Sequence, residues 1–124
     1  MGMNSIAYGG IGLVVDLDAH DLDEDLRYEL DHRLSHSDRD GLACRRVGAF
    51  AADAGEHVYL LYVGTNSDMD YPPARKAKPV PDLADARTKV EAYLRSIEGV
   101  TEEIAQALFV EENFGFHVQL YMDN

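Results

Sequence analysis

Four stretches of the chain carry the apolar spacing of β-strands. They are residues 6–16, 42–51, 57–64 and 114–122. In the third stretch apolar side chains occupy both faces, which is typical of a strand in the middle of a sheet. The last stretch alternates, and this pattern places its larger apolar residues on a buried face. Those residues are Phe114, Phe116, Val118, Leu120 and Met122.

Three further stretches carry helical spacing. The first covers residues 21–35, where a leucine recurs every four positions and predicts a buried stripe. The second runs from Asp82, a suitable N-cap, to about Glu98, and Gly99 is a suitable end signal. A short third helix begins at Thr101. The leucine row of the first helix comprises Leu22, Leu26, Leu30 and Leu34.

The order of these elements is β-α-β-β-α-(α)-β, which indicates an α+β fold of the ferredoxin-like kind. We expect a four-stranded antiparallel sheet, with strands one and three in the middle and the helices on one face. We expect residues 1–124 to form a single domain, with residues 1–5 as a tag or a disordered start. Residues 65–81 contain all four prolines and form an exposed loop.

The composition excludes some classes of function. The formal net charge is −12, from 23 acidic and 11 basic residues. This charge repels phosphate groups, so direct binding of nucleic acid or of an anionic membrane surface is not expected. Cys44 is the only cysteine, and we expect it to be a small buried residue. We expect a cytoplasmic protein without a cofactor, because no leader, membrane span or signature motif is found.

Eight of the carboxylates fall between Asp16 and Asp31. On the first helix Asp21, Asp25 and Glu29 recur every four residues, about 6 Å apart along the axis. With Asp18 and Asp31 they predict a rigid anionic ridge that binds a basic, nucleic-acid-binding surface of a partner protein, as a DNA mimic does. The main hypothesis is therefore a non-catalytic interaction module, an inhibitor or adaptor of the small acidic type that phages and mobile elements encode.

Two alternatives remain open. The chain could be a small dimeric ferredoxin-like domain that binds a ligand or catalyses a reaction, with its pocket between the open sheet face and the 65–81 loop. Arg75, Lys78, His117 and Tyr121 would then contact an anionic ligand. Alternatively, the acidity could be purely solvating, as in a high-salt cytoplasm, or could follow from a GC-rich genome.

Two smaller patterns concern histidine and glycine. His32 and His36 are four residues apart, so a helix would bring them to one side with Asp31 or Asp40 as a third metal ligand. Two surface histidines that interact with the dipole at a helix C-terminus are the simpler interpretation. The glycines of Gly9-Gly10-x-Gly12 lie within a strand and do not open a helix. They therefore indicate a bulge or a close backbone approach, not a phosphate-binding loop.

Overall fold

In the part of the chain that the structure describes, the fold consists of a five-stranded antiparallel sheet and three helices. The computed structural model describes residues 4–39, 41–47, 57–67 and 81–123. The expected tag or disordered start at residues 1–5 is therefore described only from residue 4. The strands and helices are β1 Asn4–Asp16, α1 Glu24–Ser35, β2 His36–Arg39, β3 Leu42–Arg46, β4 Val58–Ser67, α2 Leu83–Ser96, α3 Glu102–Leu108 and β5 Phe114–Asp123.

The strand order is β2-β3-β4-β1-β5, so the prediction was wrong about the number of strands and the order across the sheet. The additional strand is β2, which pairs with β3 at one edge. Its residues, from His36 to Arg39, are polar, and no apolar alternation marks them as a strand. Gly41, with a φ of 82°, lies in the turn between β2 and β3. The helices and the sheet are compatible with a ferredoxin-like α+β fold.

The main core lies between the sheet and the helices. Leu30 and Leu34 of α1 are fully buried, and Leu26 is nearly so. Leu22 packs against this core from the approach to the helix. The predicted leucine stripe is therefore confirmed for the three leucines of α1, whereas Leu22 precedes the helix. None of the described helices is both long enough and apolar enough to cross a bilayer.

The start of α1 differs from the prediction by one turn. A short 3-10 helix, Leu17–Ala19, follows β1, and the helix begins only at Glu24. The Asp16 side chain caps the 3-10 helix by accepting a hydrogen bond of 3.0 Å from the backbone N–H of Asp18. Because this turn redirects the chain, Asp21 precedes the helix and is not part of it.

The N-cap signals of the other two helices are confirmed, but α2 ends at Ser96, two residues before the predicted Glu98. The Asp82 carboxylate accepts a hydrogen bond of 3.1 Å from the backbone N–H of Asp85 at the start of α2. The Thr101 hydroxyl oxygen accepts one of 3.2 Å from Ile104 at the start of α3. Gly99 adopts a φ of 91° in the connection between the two helices.

Strand β4 is apolar on both faces, as predicted for a central strand. It pairs with β1 on one side and with β3 on the other. Leu61 is buried among the residues that face the helices. Leu60 and Tyr62 are buried on the opposite face. The sheet face that was expected to be open is therefore buried at these two residues of β4. Strand β4 continues to Ser67, and residues 68–80 of the predicted loop lie outside the described residues.

The glycines of β1 lie where neighbouring strands approach closely. A Cβ placed on Gly12 would lie 2.0 Å from the carbonyl oxygen of Leu61 in β4. A Cβ placed on Gly9 would lie 2.1 Å from the carbonyl oxygen of His117 in β5. No side chain fits at such distances, so the predicted close backbone approach is confirmed.

The prediction that β5 buries a continuous apolar face was wrong in part. Phe114 packs against the core, and its ring centroid lies 5.3 Å from that of Phe109. Phe116 and Val118, however, are 72% and 60% exposed. Helices α1 and α2 pack chiefly over β1, β3 and β4, so the helical layer leaves these two residues uncovered. The side chains of Leu120 and Met122 lie outside the described part of the structure.

Candidate functional site

Four carboxylates at the start of α1 face solvent. Asp21, Asp23, Glu24 and Asp25 are exposed, and we call them the unpaired acids. Among the described residues, no cation lies within 4.0 Å of any of their carboxylates. The positive end of the helix dipole partly compensates Glu24 and Asp25, which belong to the first turn. This segment therefore presents concentrated negative charge to solvent.

Asp18, a predicted ridge residue, lies in a local network. The Arg27 guanidinium donates to its carboxylate over 2.7 Å, and the His57 Nδ1 lies 3.3 Å from the other carboxylate oxygen. Arg27 also donates to the carbonyl oxygen of Leu17 over 3.2 Å. The hydrogen bond from Arg27, followed by that from His57, holds the pKa of Asp18 below its usual 3.8. The Asp18 carboxylate is therefore already paired with residues of its own fold.

Asp31, at the other end of the predicted ridge, ties α1 to the sheet. The Tyr59 hydroxyl donates to its carboxylate, and so does Arg46, over 3.0 Å. Burial alone would raise the pKa of Asp31, but these two hydrogen bonds outweigh it and bring the pKa below 3.8. Burial, with Asp31 as a neighbour, raises the pKa of Tyr59 to about 12. We call Asp18 and Asp31 the paired acids.

Glu29 has an intermediate position. Its carboxylate lies 3.9 Å from Arg33, one turn further along α1, which is a loose contact. The structure therefore does not bring the five predicted ridge residues together as one uniform surface. It separates them into the two paired acids, the loosely paired Glu29, and Asp21 and Asp25, which belong to the unpaired acids.

A groove of about 400 Å³ lies between the start of α1 and the connection from α2 to α3. Leu26 and Ile104 contribute apolar surface to it, and four carboxylates contribute negative charge. Its lining residues are Asp23, Asp25, Leu26, Glu29, Glu98, Gly99 and Ile104. An apolar surface surrounded by acids suits a lysine or arginine side chain, whose methylene stem is apolar and whose tip is cationic.

A second groove, of about 360 Å³, has the opposite character. It lies against α2 and includes the side chains of Arg39 and Lys89. Lys89 already forms an ion pair of 3.1 Å with Asp85, one turn earlier in the helix. This pairing reduces the cationic charge available to a ligand, so the groove beside α1 is the stronger candidate.

Comparison with protein-family models, with curated proteins and with solved structures gave no match.

The alternative ligand site falls mostly outside the described residues. Arg75 and Lys78 lie in residues 68–80, and the side chain of Tyr121 is also undescribed. His117 lies in β5, and its Nε2 is 2.9 Å from the backbone carbonyl oxygen of Asn113. The pocket proposed for these residues stays a prediction.

The histidine pair does not have the expected geometry. His32 is an exposed residue of α1, but the helix ends at Ser35 and His36 is the first residue of β2. The helical spacing that would align the two rings is therefore absent. The described residues contain no cluster of three or more metal-ligating side chains.

Cys44 is fully buried in the core, as expected from its place in an apolar strand. Burial raises the pKa of its thiol to about 12. The thiol is therefore protonated at neutral pH and is a poor nucleophile.

Sequence reasoning missed the partners of the paired acids. Arg46 and Tyr59 lie on different strands from each other and on different elements from Asp31, so no local spacing connects the three. Arg27 carried a usable signal, since it is the only lysine or arginine between Asp16 and Asp31.

Proposed function

We propose that this protein is a non-catalytic interaction module that binds a basic surface of a partner protein through the carboxylates beside the start of α1. The observation that carries this proposal is the groove that Asp25 and Glu98 line together with the apolar residues Leu26 and Ile104. Asp18 and Asp31 contribute less to this binding, because arginines of the fold already form ion pairs with them.

The chemistry of the groove favours a protein partner over a metal ion. Its lining combines carboxylates with apolar surface from Leu26 and Ile104, which a long basic side chain would contact along its stem. The unpaired acids add a local negative field that steers a cationic partner toward the groove. A partner surface that normally binds nucleic acid fits this description, so the proposed module is an inhibitor or adaptor of the DNA-mimic type.

For the scaffold we propose the ferredoxin-like architecture with one strand added at an edge. Support comes from the pairing of β1 with both β4 and β5, and of β4 with β3, all antiparallel. Strand β2 extends the sheet beyond β3. Helix α1 packs on this sheet through its buried leucines, and this packing orients its first turn and the carboxylates there.

Displacement of proteins from DNA tests the proposal. Extract of the source organism is loaded on DNA-cellulose at low ionic strength, and the column is washed with the purified protein. We expect the protein to release a basic DNA-binding partner, because the acids compete with phosphates for the same cations. Added salt weakens this binding steeply.

A matched pair of variants makes the experiment specific. Asp21→Lys with Asp25→Lys alters the proposed surface, and Glu103→Lys with Glu112→Lys alters two other exposed acids. Both double variants change the net charge equally, and Asp25 and Glu103 each lie in the first turn of a helix. We expect only the first variant to lose release activity, by about tenfold or more. Equal activity of the two variants, or no protein released by the wild type, would contradict the proposal.

A further inference from the structure

The two edges of the sheet differ in length and in chemistry. The β2 edge has four residues and includes Asp38 and Arg39. The β5 edge has ten residues, and its segment 114–122 contains no aspartate, glutamate, lysine or arginine. Proteins commonly protect exposed edges with short strands and charged side chains, because an unprotected edge pairs with other strands. Strand β2 has both forms of protection, whereas segment 114–122 has neither.

Apolar side chains stand exposed along the same edge. Phe116 and Val118 are 72% and 60% exposed, and they share the face on which Phe114 joins the core. Their partners in β1 are Ile11 and Gly9. Since glycine has no side chain, the residue directly opposite Val118 on β1 does not shield it. Within the described residues, no strand pairs with the outer edge of β5.

We infer that the outer edge of β5 is the interface of a homodimer. In this dimer β5 of a second copy pairs antiparallel with it, and the exposed Phe116 and Val118 of the two copies cover one another. A twofold axis makes such an interface self-complementary, because the same backbone N–H and C=O groups face each other from both chains. The two sheets then join into one continuous sheet.

Charge favours a second copy as the occupant of this edge. Two chains with a net charge of −12 repel each other over most of their surfaces. The segment 114–122 is uncharged, so the copies can approach there without placing carboxylates opposite each other. A basic partner gains nothing from this segment and is attracted to the unpaired acids instead. The dimer would form whether or not α1 binds such a partner.

Sedimentation of two matched variants tests the dimer. The first variant, Phe116→Lys with Val118→Lys, places cations on β5. The control, Tyr28→Lys with Leu83→Lys, changes two other large apolar residues that are exposed in the described structure and lie on α1 and α2. We expect the wild type and the control to sediment as dimers. The β5 variant should associate about 100-fold more weakly or worse, because like charges would face each other across the interface.

The inference is wrong if the wild type stays monomeric at every concentration that ultracentrifugation can reach. It is also wrong if the folded β5 variant dimerises as well as the control. All four side chains are exposed, so we expect both variants to fold, and circular dichroism checks this.

Cross-linking provides a measurement that tolerates partial loss of stability. Val118→Cys should form an intermolecular disulfide readily under mild oxidation, whereas Tyr28→Cys should not. Cys44 does not interfere, since it is buried and its thiol pKa is raised to about 12. Equal cross-linking of the two variants would overturn the assignment of the interface to β5.

Discussion

The acids near α1 fall into two groups that the amino-acid sequence presents as one. Asp31 is held by Arg46 and Tyr59, and its carboxylate connects the helix to strands β3 and β4. Asp25, less than two turns earlier on the same helix, contacts no described cation and lines a groove. The comparison teaches that net charge alone does not show where a protein offers charge to a partner. Paired acids stabilise the fold, and unpaired acids remain available for binding.

This division follows from the direction in which each side chain leaves the helix. Arg46 is at the end of β3, and its guanidinium lies 6.0 Å from the centroid of the Tyr59 ring. A carboxylate on the sheet side of α1 therefore meets a cation that the sheet supplies. The start of α1 instead faces the connection between α2 and α3, where Glu98 adds another acid. Residues of the sheet therefore pair with Asp31, whereas Glu98 adds negative charge beside the start of α1.

The largest expected difference between the two groups is in the free energy of unfolding when one acid of each group is replaced by alanine. We expect Asp31→Ala to lower the free energy of unfolding by about 2 kcal/mol, because it removes the carboxylate that accepts hydrogen bonds from the Tyr59 hydroxyl and from Arg46. Asp25→Ala, the matched change on the exposed side, should alter that free energy by less than about 0.5 kcal/mol. Urea denaturation followed by tyrosine fluorescence or circular dichroism measures both. Similar losses in the two variants would show that pairing does not separate the groups.

The sequence predicted much of the fold because apolar periodicity carries local information. The leucine row fixed the buried side of α1, and the apolar residues on both sides of β4 indicated its central place. Strand β2 was missed because its residues are polar, and pairing with β3 holds it in place without a buried face of its own. The exposure of Phe116 could not be predicted, since alternation assigns a face but not the extent of the layer above it.

The candidate site was predictable only in part. Spacing on one helix brought Asp21, Asp25 and Glu29 into consideration, and this reasoning needs no knowledge of other elements. The pairing of Asp31 depends on residues that are distant in sequence, such as Tyr59, which lies 28 residues away. Tertiary contacts of this kind leave no period in the sequence.

Acidification should narrow the difference in unfolding free energy between the Asp31 variant and the wild type. The pKa of Asp31 is lowered below 3.8 in the folded chain, so the unfolded chain binds its proton more readily. Linkage then makes the contribution of Asp31 fully present above that value and lost as the pH falls through the folded pKa. We expect the gap in unfolding free energy between wild type and Asp31→Ala to be constant near neutral pH and to narrow below about pH 4.

Denaturation curves recorded at a series of pH values measure this gap, with Asp25→Ala as the control. Asp25 is exposed at the start of α1, and its variant should run parallel to the wild type through the same range. A gap that widens on acidification would mean that Asp31 is held in its protonated form by the fold, contrary to its pairing with Arg46.

Salt should produce the smallest change in stability. Its effect has opposite signs for the two groups, because salt screens repulsion between the unpaired acids but weakens the ion pairs of the paired acids. Near the start of α1 the unpaired acids repel one another, and salt screens this repulsion over about 10 Å at 0.1 M. We therefore expect added sodium chloride to raise the melting temperature of the wild type slightly, and to raise that of Asp21→Asn with Asp25→Asn by less. Salt weakens ion pairs as well, so the same addition should reduce the stability that the ion pair between Arg46 and Asp31 contributes to the fold.

A wild type that unfolds outright at low ionic strength would favour the purely solvating origin of the acidity. In that case the double Asn variant should recover stability in low salt, because it removes repulsion that the screening would otherwise reduce.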